Sequence, residues 1–351
     1  MIKSNKFSVK SFGKAVLLLL SMWVLIFILP GCTDKSASAK DEKTILVSGF
    51  AQYDWLLNII KDNPSEIVVR RLNESGTDMH SYQPTVKDMV EISECDLLIY
   101  TGGESEFWID GAVISSEKSD SSCLSLMEIF EGPSLLCENY TEAHSEHEHE
   151  HEHELHQGHD HNHEGEADEH LWLSLKMAPV FIGEITEAIC ALDPANASYY
   201  RDNSDNYIGE IKKLDSSYEN AAASAHNLGQ DCLIVADRFP FVYLTEDYHL
   251  AHLAAFPGCS AETEASFATI LSLSEAIDEH NPGAVFVLKK SKTDLAQTVI
   301  KNSHLKDLPI LRLDDMQSVI PDDIDSGLSY ISVMQDNLTA LEEAFGINTD
   351  R

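Results

Sequence analysis

Basic residues are scarce in this chain relative to acidic ones. Of the 351 residues, 24 are lysine or arginine and 59 are aspartate or glutamate, so the formal net charge is −35 at pH 7. Such an acidic surface repels phosphate groups, which argues against nucleic acid as a partner. The same surface attracts cations, and the composition therefore favours a protein that collects them.

Cysteine is also sparse, with seven residues in the whole chain. None of them shows the paired spacing that is typical of a zinc site. Cys123 and Cys137 flank a short segment and could form a disulfide in an oxidising compartment. A metalloprotease helix of the His-Glu-x-x-His type is absent, because the His-Glu repeats of this chain carry no apolar helical pattern.

No long hydrophobic span is present. The apolar run 15–29 follows four lysines, is interrupted only by Ser21, and is shorter than the roughly 20 residues that a membrane span needs. Residues 29–32 (Leu-Pro-Gly-Cys) resemble a bacterial lipoprotein signal, in which the cysteine becomes the lipid-bearing N-terminus. We predict a signal peptide at 1–31, a lipid on Cys32, a spacer at 32–43, and the remainder on the extracytoplasmic face of the cell membrane. An uncleaved membrane anchor is the alternative.

Histidine, in contrast, is concentrated in one tract, where nine of the twenty residues 144–163 are histidine. Neutral imidazole is the commonest side-chain ligand for zinc and similar metals. A segment this polar cannot form a core, so we predict a flexible metal-collecting loop, with an acidic low-complexity linker as the alternative. Its candidate ligands are His144, His147, His149, His151, His153, His156, His159, His161 and His163.

Short apolar runs alternate with helical patterns in the rest of the chain. The predicted strands are 45–50, 67–72, 96–100, 232–236, 250–256, 284–288 and 310–313. The predicted helices are 53–61, 85–94, 124–130, 173–192, 197–227, 239–248, 264–280, 293–301 and 321–345. This order predicts an α/β protein with two lobes of mostly parallel sheet flanked by helices. The predicted boundaries are 44–172 for the first lobe, 173–192 for a linker helix and 193–351 for the second lobe.

Four side chains with metal-binding capacity lie at points where predicted elements end. His80 follows the strand 67–72, Asp237 ends the run 233–237, and Asp314 ends the run 310–314, while His170 stands where ordered sequence resumes after the histidine tract. In open parallel sheets, ligands bind beyond the carboxyl ends of the strands. Their joint placement predicts that these four side chains contribute to one metal site beyond the strand ends.

Two of these positions lie in segments that identify a family by resemblance. Residues 79–85 (Met-His-Ser-Tyr-Gln-Pro-Thr) resemble the His-x-Tyr/Phe-x-Pro-Thr ligand loop of the metal-receptor lipoproteins of bacterial zinc and manganese ABC importers. Residues 168–173 (Asp-Glu-His-Leu-Trp-Leu) are similar to the Asp-Pro-His-x-Trp segment that carries the second histidine of that family. Residues 103–108, 239–248 and 262–264 are similar to further segments of the same family.

The resemblance implies a fold and a set of partners. Family members have two lobes joined by a long rigid helix, hold one metal in the cleft, and catalyse no reaction. They deliver the ion to a membrane permease with a cytoplasmic ATPase, and we expect this chain to act as a monomer. Zinc-specific members commonly carry a histidine-rich insertion between the two ligand histidines, and the tract 144–163 lies at that place.

The chain departs from the family pattern at the third ligand. Zinc members usually place a histidine where Asp237 stands, and manganese members place a glutamate. Matching assigns Asp237 as an oxygen ligand and places Asp314 at the family's C-terminal aspartate. As an alternative, Asp237 forms an ion pair with Arg238, and His249 or His252 takes its place as a ligand.

The histidine tract decides the choice of metal. Manganese binds imidazole weakly, so a tract of nine histidines favours Zn²⁺, with Mn²⁺ as the alternative. Two other functions remain open at this point: a zinc-dependent extracellular hydrolase, which would need an open coordination position and a general base, and a surface metal-binding adhesin.

Overall fold

The described residues contain eight strands, and most of them are short, largely apolar runs. The computed structural model describes residues 43–62, 64–116, 118–119, 122–130, 167–260 and 264–347. The strands are β1 (Thr44–Val47), β2 (Val68–Arg71), β3 (Leu97–Tyr100), β4 (Cys123–Ser125), β5 (Cys232–Phe239), β6 (Ala251–Pro257), β7 (Val285–Leu288) and β8 (Ile310–Leu313).

The strands form two four-stranded sheets with the same topology. The first sheet has the order β2-β1-β3-β4 and the second has the order β6-β5-β7-β8. Every described pairing is parallel; Val47 lies opposite Arg71, for example, and Leu288 lies opposite Leu313. Parallel pairing requires crossover connections, and helices supply most of them here. The prediction of two α/β lobes with parallel sheets is confirmed.

Eleven helices cover the sheets in the described residues. They are α1 (Phe50–Ile59), α2 (Val86–Glu94), α3 (Phe107–Ser115), α4 (Leu126–Ile129), α5 (Ala178–Leu192), α6 (Ala197–Leu228), α7 (Val242–Asp247), α8 (Phe267–His280), α9 (Asp294–Asn302), α10 (Pro321–Asp325) and α11 (Tyr330–Ala344). None of them is both long enough and apolar enough to cross a membrane.

Successive side chains along a strand point to opposite faces of the sheet and therefore pack in different cores. Ile45 and Val47 of β1 belong to a central core, whereas Leu46 packs on the outer side of the first sheet against α2 and α3. In the second lobe, Ile234 of β5 likewise packs on the outer side. The central core contains residues from both sheets, so the two lobes share one hydrophobic interior.

The 32-residue helix α6 binds to both lobes. Near its start, the Tyr207 hydroxyl donates to Asp54 Oδ2 of α1 at 2.8 Å. Further along, the Tyr218 hydroxyl donates to the carbonyl oxygen of Met334 in α11 at 2.6 Å. Because both phenols are buried, these bonds fix α6 to each lobe and make it the long helix between them.

Helix α11, near the end of the described chain, packs against α1, near its beginning. The rings of Trp55 and Tyr330 meet edge to face with their centroids 5.2 Å apart. The Tyr330 hydroxyl donates to the carbonyl oxygen of Trp172 at 2.7 Å. Trp55 and Tyr330 are completely buried, so the two ends of the described chain complete one core.

Some predicted elements differ from the structure. Residues 107–115 form α3, where no helix was predicted, and 123–125 form β4, so that only 126–129 of the predicted helix 124–130 is helical. The predicted helix 321–345 is divided into α10 and α11. The other predicted strands are confirmed with small changes at their ends.

The possible pairing of Cys123 with Cys137 stays a prediction, because Cys137 lies outside the described residues; Cys123 is half-buried in β4. It packs at the edge of the outer core of the first lobe. Cys95, Cys190 and Cys232 are free thiols, whereas Cys259 is disulfide-bonded. The predicted signal peptide, Cys32, the spacer up to residue 42 and the histidine tract 144–163 lie outside the described residues.

Candidate metal centre

Two short turns bring His80 and His170 together. His80 lies in the turn Met79–Ser81 that follows β2, and the Asp78 carboxylate caps this turn by accepting from the His80 backbone N–H at 3.0 Å. His170 immediately precedes the turn Leu171–Leu173. Its backbone N–H donates to Asp168 Oδ1 at 2.9 Å. Each turn is therefore held by an aspartate two residues before the histidine.

The two imidazole rings face each other through the same ring nitrogen. The Nε2 atoms of His80 and His170 are 3.2 Å apart. On the other side of each ring, His80 Nδ1 lies 2.6 Å from Ser105 Oγ, and His170 Nδ1 lies 2.8 Å from Asp168 Oδ1. A carboxylate can only accept a hydrogen bond, so Asp168 holds the proton on Nδ1 and directs the Nε2 lone pair towards His80. This is the arrangement of a metal-binding imidazole with its orienting carboxylate.

Acidic groups surround His170, which is completely buried. Burial by itself lowers its pKa, but the charge and hydrogen bond of Asp168, together with the charge of Asp315, outweigh this effect and raise the pKa. Burial also raises the pKa of Asp315, to about 6. The low-dielectric setting strengthens the attraction between these acids and a cation, so the centre favours a positive ion.

Glu169 adds a buried carboxylate beside the two histidines. Its Oε1 accepts from the Ser105 backbone N–H at 2.9 Å, while its Oε2 has no hydrogen-bond partner among the described residues. Burial raises its pKa. Gly103 permits this close approach, because a Cβ atom there would lie 2.5 Å from Glu169 Oε1. Sequence reasoning missed Glu169 as a site residue, although it directly precedes His170.

A third potential donor near the imidazole pair is the sulfur of Cys259. His80, His170 and Cys259 form the one group of His, Cys, Asp and Glu side chains in the described part of the chain whose ligand atoms all lie within 4.8 Å of one another. Because Cys259 is disulfide-bonded, its sulfur is not a thiolate and is a poor metal ligand. The imidazole pair is thus the centre of the site.

Gln317 of the second lobe also reaches the imidazole pair. Its Nε2 lies 3.0 Å from His170 Nε2, and its Oε1 accepts from the Met79 backbone N–H at 3.3 Å. The amide thereby connects the loop after β8 to both histidine turns. No sequence signal identified Gln317, because an uncharged amide is not a usual ligand for zinc.

The two predicted carboxylate ligands, Asp237 and Asp314, do not belong to the group whose ligand atoms lie within 4.8 Å of one another. Asp237 accepts from the backbone N–H of Arg238 at 2.9 Å and of Leu288 at 3.1 Å. Asp314 accepts from Lys289 Nζ at 2.8 Å and from the Met316 backbone N–H at 2.9 Å. The structure does not bring these carboxylates to the histidines, and their role as ligands stays a prediction.

The alternatives for the third ligand can be placed as well. The Arg238 guanidinium pairs with Asp78, the residue that caps the His80 turn, rather than with the Asp237 side chain. His249 is exposed on a left-handed backbone with φ of 56°. His252 stacks on Phe239, and burial lowers its pKa to about 4. Neither histidine belongs to the group around His80 and His170.

Comparisons with known proteins identify relatives whose names refer to zinc uptake or zinc binding. The model of the family described as ZnuA, "Zinc-uptake complex component A periplasmic", matches residues 45–344. The "High-affinity zinc uptake system protein ZnuA" of Bacillus subtilis is 28% identical over 334 residues, covering 92% of this chain and 97% of the relative.

Two further matches concern a streptococcal protein. The "Zinc-binding lipoprotein AdcA" of Streptococcus pneumoniae is 26% identical over 331 residues, which cover 94% of this chain but 61% of that protein. The crystal structure of the Zn(II)-bound ZnuA-like domain of AdcA superposes with a TM-score of 0.65 at 22% identity. It covers 87% of this chain and 99% of that domain, and it supports the fold.

Proposed function

Since this chain belongs to the ZnuA family of zinc-uptake complex components, we propose that it is an extracytoplasmic receptor that captures Zn²⁺ and delivers it to an ABC importer. One observation carries this proposal: two imidazole rings from separate turns present their Nε2 atoms to each other across 3.2 Å. Both rings are held from behind at Nδ1. Two such donors, oriented before the ion arrives, are suited to chelating a transition metal.

The proposed capture changes the bonding of His170. The Nε2 atom of His170 lies within hydrogen-bonding distance of His80 and of the Gln317 amide. An ion that takes this lone pair must displace the amide, which belongs to the second lobe. Gln317 therefore connects occupation of the centre to the position of the loop after β8.

The donor set favours zinc over the alternative, manganese. Imidazole nitrogen suits zinc, and the affinity of a nitrogen site for manganese is lower in the Irving–Williams order. The surrounding carboxyl groups of Asp168, Glu169 and Asp315 supply negative charge that attracts the ion, even if none of them binds it directly. Zinc is the cargo of such a receptor and not a resident cofactor.

The family consists of metal-binding transport receptors, which are not enzymes, and its members act outside the cytoplasm with an ABC importer. For this chain we propose three finer features. It is a monomer without enzymatic activity, it is anchored by a lipid on Cys32, and its partners are a membrane permease and the associated ATPase.

We further propose that the histidine tract 144–163 collects zinc through weak and rapidly exchanging sites. The tract precedes the ligand turn of His170 by a few residues in sequence, so tethering raises the local zinc concentration near the centre. The tract would thus increase the rate of capture at low zinc and leave the affinity of the tight site unchanged.

Replacing the nine tract histidines by serine tests both proposals. We expect the purified variant to retain one tightly bound zinc ion per chain, to lose the weaker additional ions, and to capture zinc more slowly at low concentration. Metal content by mass spectrometry and stopped-flow capture against a fluorescent chelator measure these quantities. A matched variant, in which the tract glutamates become glutamine, controls for charge. Loss of the tightly bound ion in the serine variant would contradict the proposal that the tract and the tight site have separate roles. Preferential binding of manganese by the wild type in competition with zinc would contradict the proposed cargo.

The substitution Asp168→Asn tests the orienting role of this carboxylate. We expect zinc affinity to fall by about tenfold, since loss of a partner that orients a metal-bound histidine typically costs 10–100-fold. The exposed Asp202 on α6 provides the control as Asp202→Asn, which should bind zinc like the wild type. Competition titration with a chelator of known affinity measures both. Equal affinities of the two variants would show that Asp168 does not position His170.

A further inference from the structure

A separate cavity adjoins the imidazole pair. It is partly open to solvent and comprises about 590 Å³ of space that no atoms fill, and most of its exposed lining area is apolar, including that of Trp108 and Trp172. Ser105 and Gln317, which contact the two imidazoles from the side of the protein, also line it. The metal centre as described does not use this cavity, and its lining contains a charged group that the proposed zinc function leaves unexplained.

That group is Arg71, the last residue of β2. Its side chain lines the cavity, the residue is only 6% exposed, and its Nη2 atom has no hydrogen-bond partner among the residues that the structure describes. Burial lowers its pKa, while the charges of Glu74 and Asp323 partly oppose this effect without hydrogen bonding to it. A buried guanidinium normally pairs with an acid, so the arrangement indicates that an anionic partner is missing.

The N-terminus of α1 points to the same conclusion. This ten-residue helix begins at Phe50, its cap residue Gly49 offers no side-chain acceptor, and its first turn contains no acidic residue. Gly49, Phe50, Ala51 and Gln52 all line the cavity. The first N–H groups of a helix and its dipole favour an anion. Two independent positive features, the guanidinium and the helix terminus, thus face one cavity.

The acidic residue in the lining does not neutralise Arg71. Glu106 Oε2 accepts hydrogen bonds from the backbone N–H groups of Thr101 at 2.8 Å and Gly102 at 3.0 Å. Burial, its largest influence, raises the pKa of Glu106 to about 7, so at neutral pH a large share of this carboxyl is uncharged. A ligand anion therefore meets little repulsion from Glu106 there, and less as the pH falls.

We propose that this cavity binds a small monocarboxylate with an apolar body, the carboxylate facing Arg71 and the start of α1 and the body lying against the tryptophan walls. A carboxylate matches the planar guanidinium, and a ligand with one anionic group and an apolar body suits a lining whose exposed area is mostly apolar. Inorganic phosphate, which needs polar contacts on all sides, fits the same lining poorly. This binding does not require zinc, so its test is independent of the proposed receptor function.

The probe is 4-methylpentanoate, compared with the neutral 4-methylpentanamide on the purified, metal-free protein. Calorimetry and tryptophan fluorescence should show saturable binding of the carboxylate to one site and at least about tenfold weaker binding of the amide, because charge-assisted hydrogen bonds are the stronger ones. Binding of inorganic phosphate as tightly as the carboxylate, equal binding of the amide, or no saturation would overturn the proposal.

Two adjacent arginines allow a matched pair of variants. Arg71→Met should weaken carboxylate binding by about 30-fold, since hydrogen bonds to charged groups are the most costly to lose. Arg70→Met should leave it unchanged, because Arg70 is exposed and pairs with Glu91 at 3.6 Å. Without ligand, the melting temperature of Arg71→Met should equal or exceed that of the wild type, and the carboxylate should raise the melting temperature of the wild type only. Destabilisation of Arg71→Met without ligand would instead assign Arg71 a structural role and overturn the proposal.

Discussion

Replacing His170 with alanine is expected to weaken zinc binding by about a hundredfold or more, because loss of a direct ligand costs at least as much as loss of a partner that merely orients one. His170 is completely buried and is oriented by Asp168 through a 2.8 Å hydrogen bond. His80→Ala should have an effect of the same order, since its Nε2 atom lies opposite that of His170. Competition titration against a high-affinity chelator measures the change.

The comparison with carboxylate variants makes this prediction sharper. Asp237→Asn and Asp314→Asn should each reduce zinc affinity by less than about tenfold, since both carboxylates are engaged elsewhere and lie outside the histidine group. His304→Ala serves as the control, because the His304 side chain is 93% exposed. Circular dichroism verifies that all variants fold. A loss for Asp237→Asn or Asp314→Asn as large as that for His170→Ala would support the predicted ligand set of two imidazoles and two carboxylates.

Acidification should release the ion steeply. Zinc binds neutral imidazole, so protons compete with it below the histidine pKa, and that of His170 is raised by its acidic neighbours. Protons therefore begin to compete with zinc for His170 at a pH above the ordinary histidine pKa of about 6.5. Once both imidazoles are protonated in the metal-free protein, the affinity should fall by up to about a hundredfold per pH unit, since two protons are displaced per ion.

Asp168→Asn provides an internal check on the pH prediction. Because Asp168 raises the pKa of His170, its replacement should move the onset of zinc release to lower pH, even though the affinity at neutral pH is weaker. Zinc affinities measured at intervals between pH 8 and pH 5 give the pH dependence of binding for the wild type and for Asp168→Asn. A wild-type affinity that stays constant over this range would exclude ligation by the two imidazoles.

Much of the fold was predictable because buried parallel strands are continuous apolar runs. Strand β4 was missed because it has only three residues and pairs only with β3. Helix α3 was missed because its own apolar residues, such as Phe107, Ile109 and Ile114, lie on several faces of the helix. The sequence therefore shows no helical periodicity there. Segments of this kind obtain their structure from neighbours distant in sequence, which a local pattern does not reveal.

The site was predictable to a similar extent. Both histidines lie in specific motifs, and the structure places them in contact. The ligand role of Asp237 and Asp314 could not be predicted in the same way. A position at the end of a strand does not show whether a carboxylate binds a metal ion or a basic side chain. Arg238 pairs with Asp78, 160 positions away, and Lys289 pairs with Asp314. Such partnerships depend on how the two lobes meet.

The packing of α11 on α1 has a consequence for biosynthesis. Trp55 lies 275 positions before its partner Tyr330, so this contact forms only after the chain has been synthesised through α11. Until then, the interior shared by the two lobes stays open, and parallel pairing between distant segments makes its closure slow. A chain that ends before α11 therefore lacks one wall of the interior that the two lobes share.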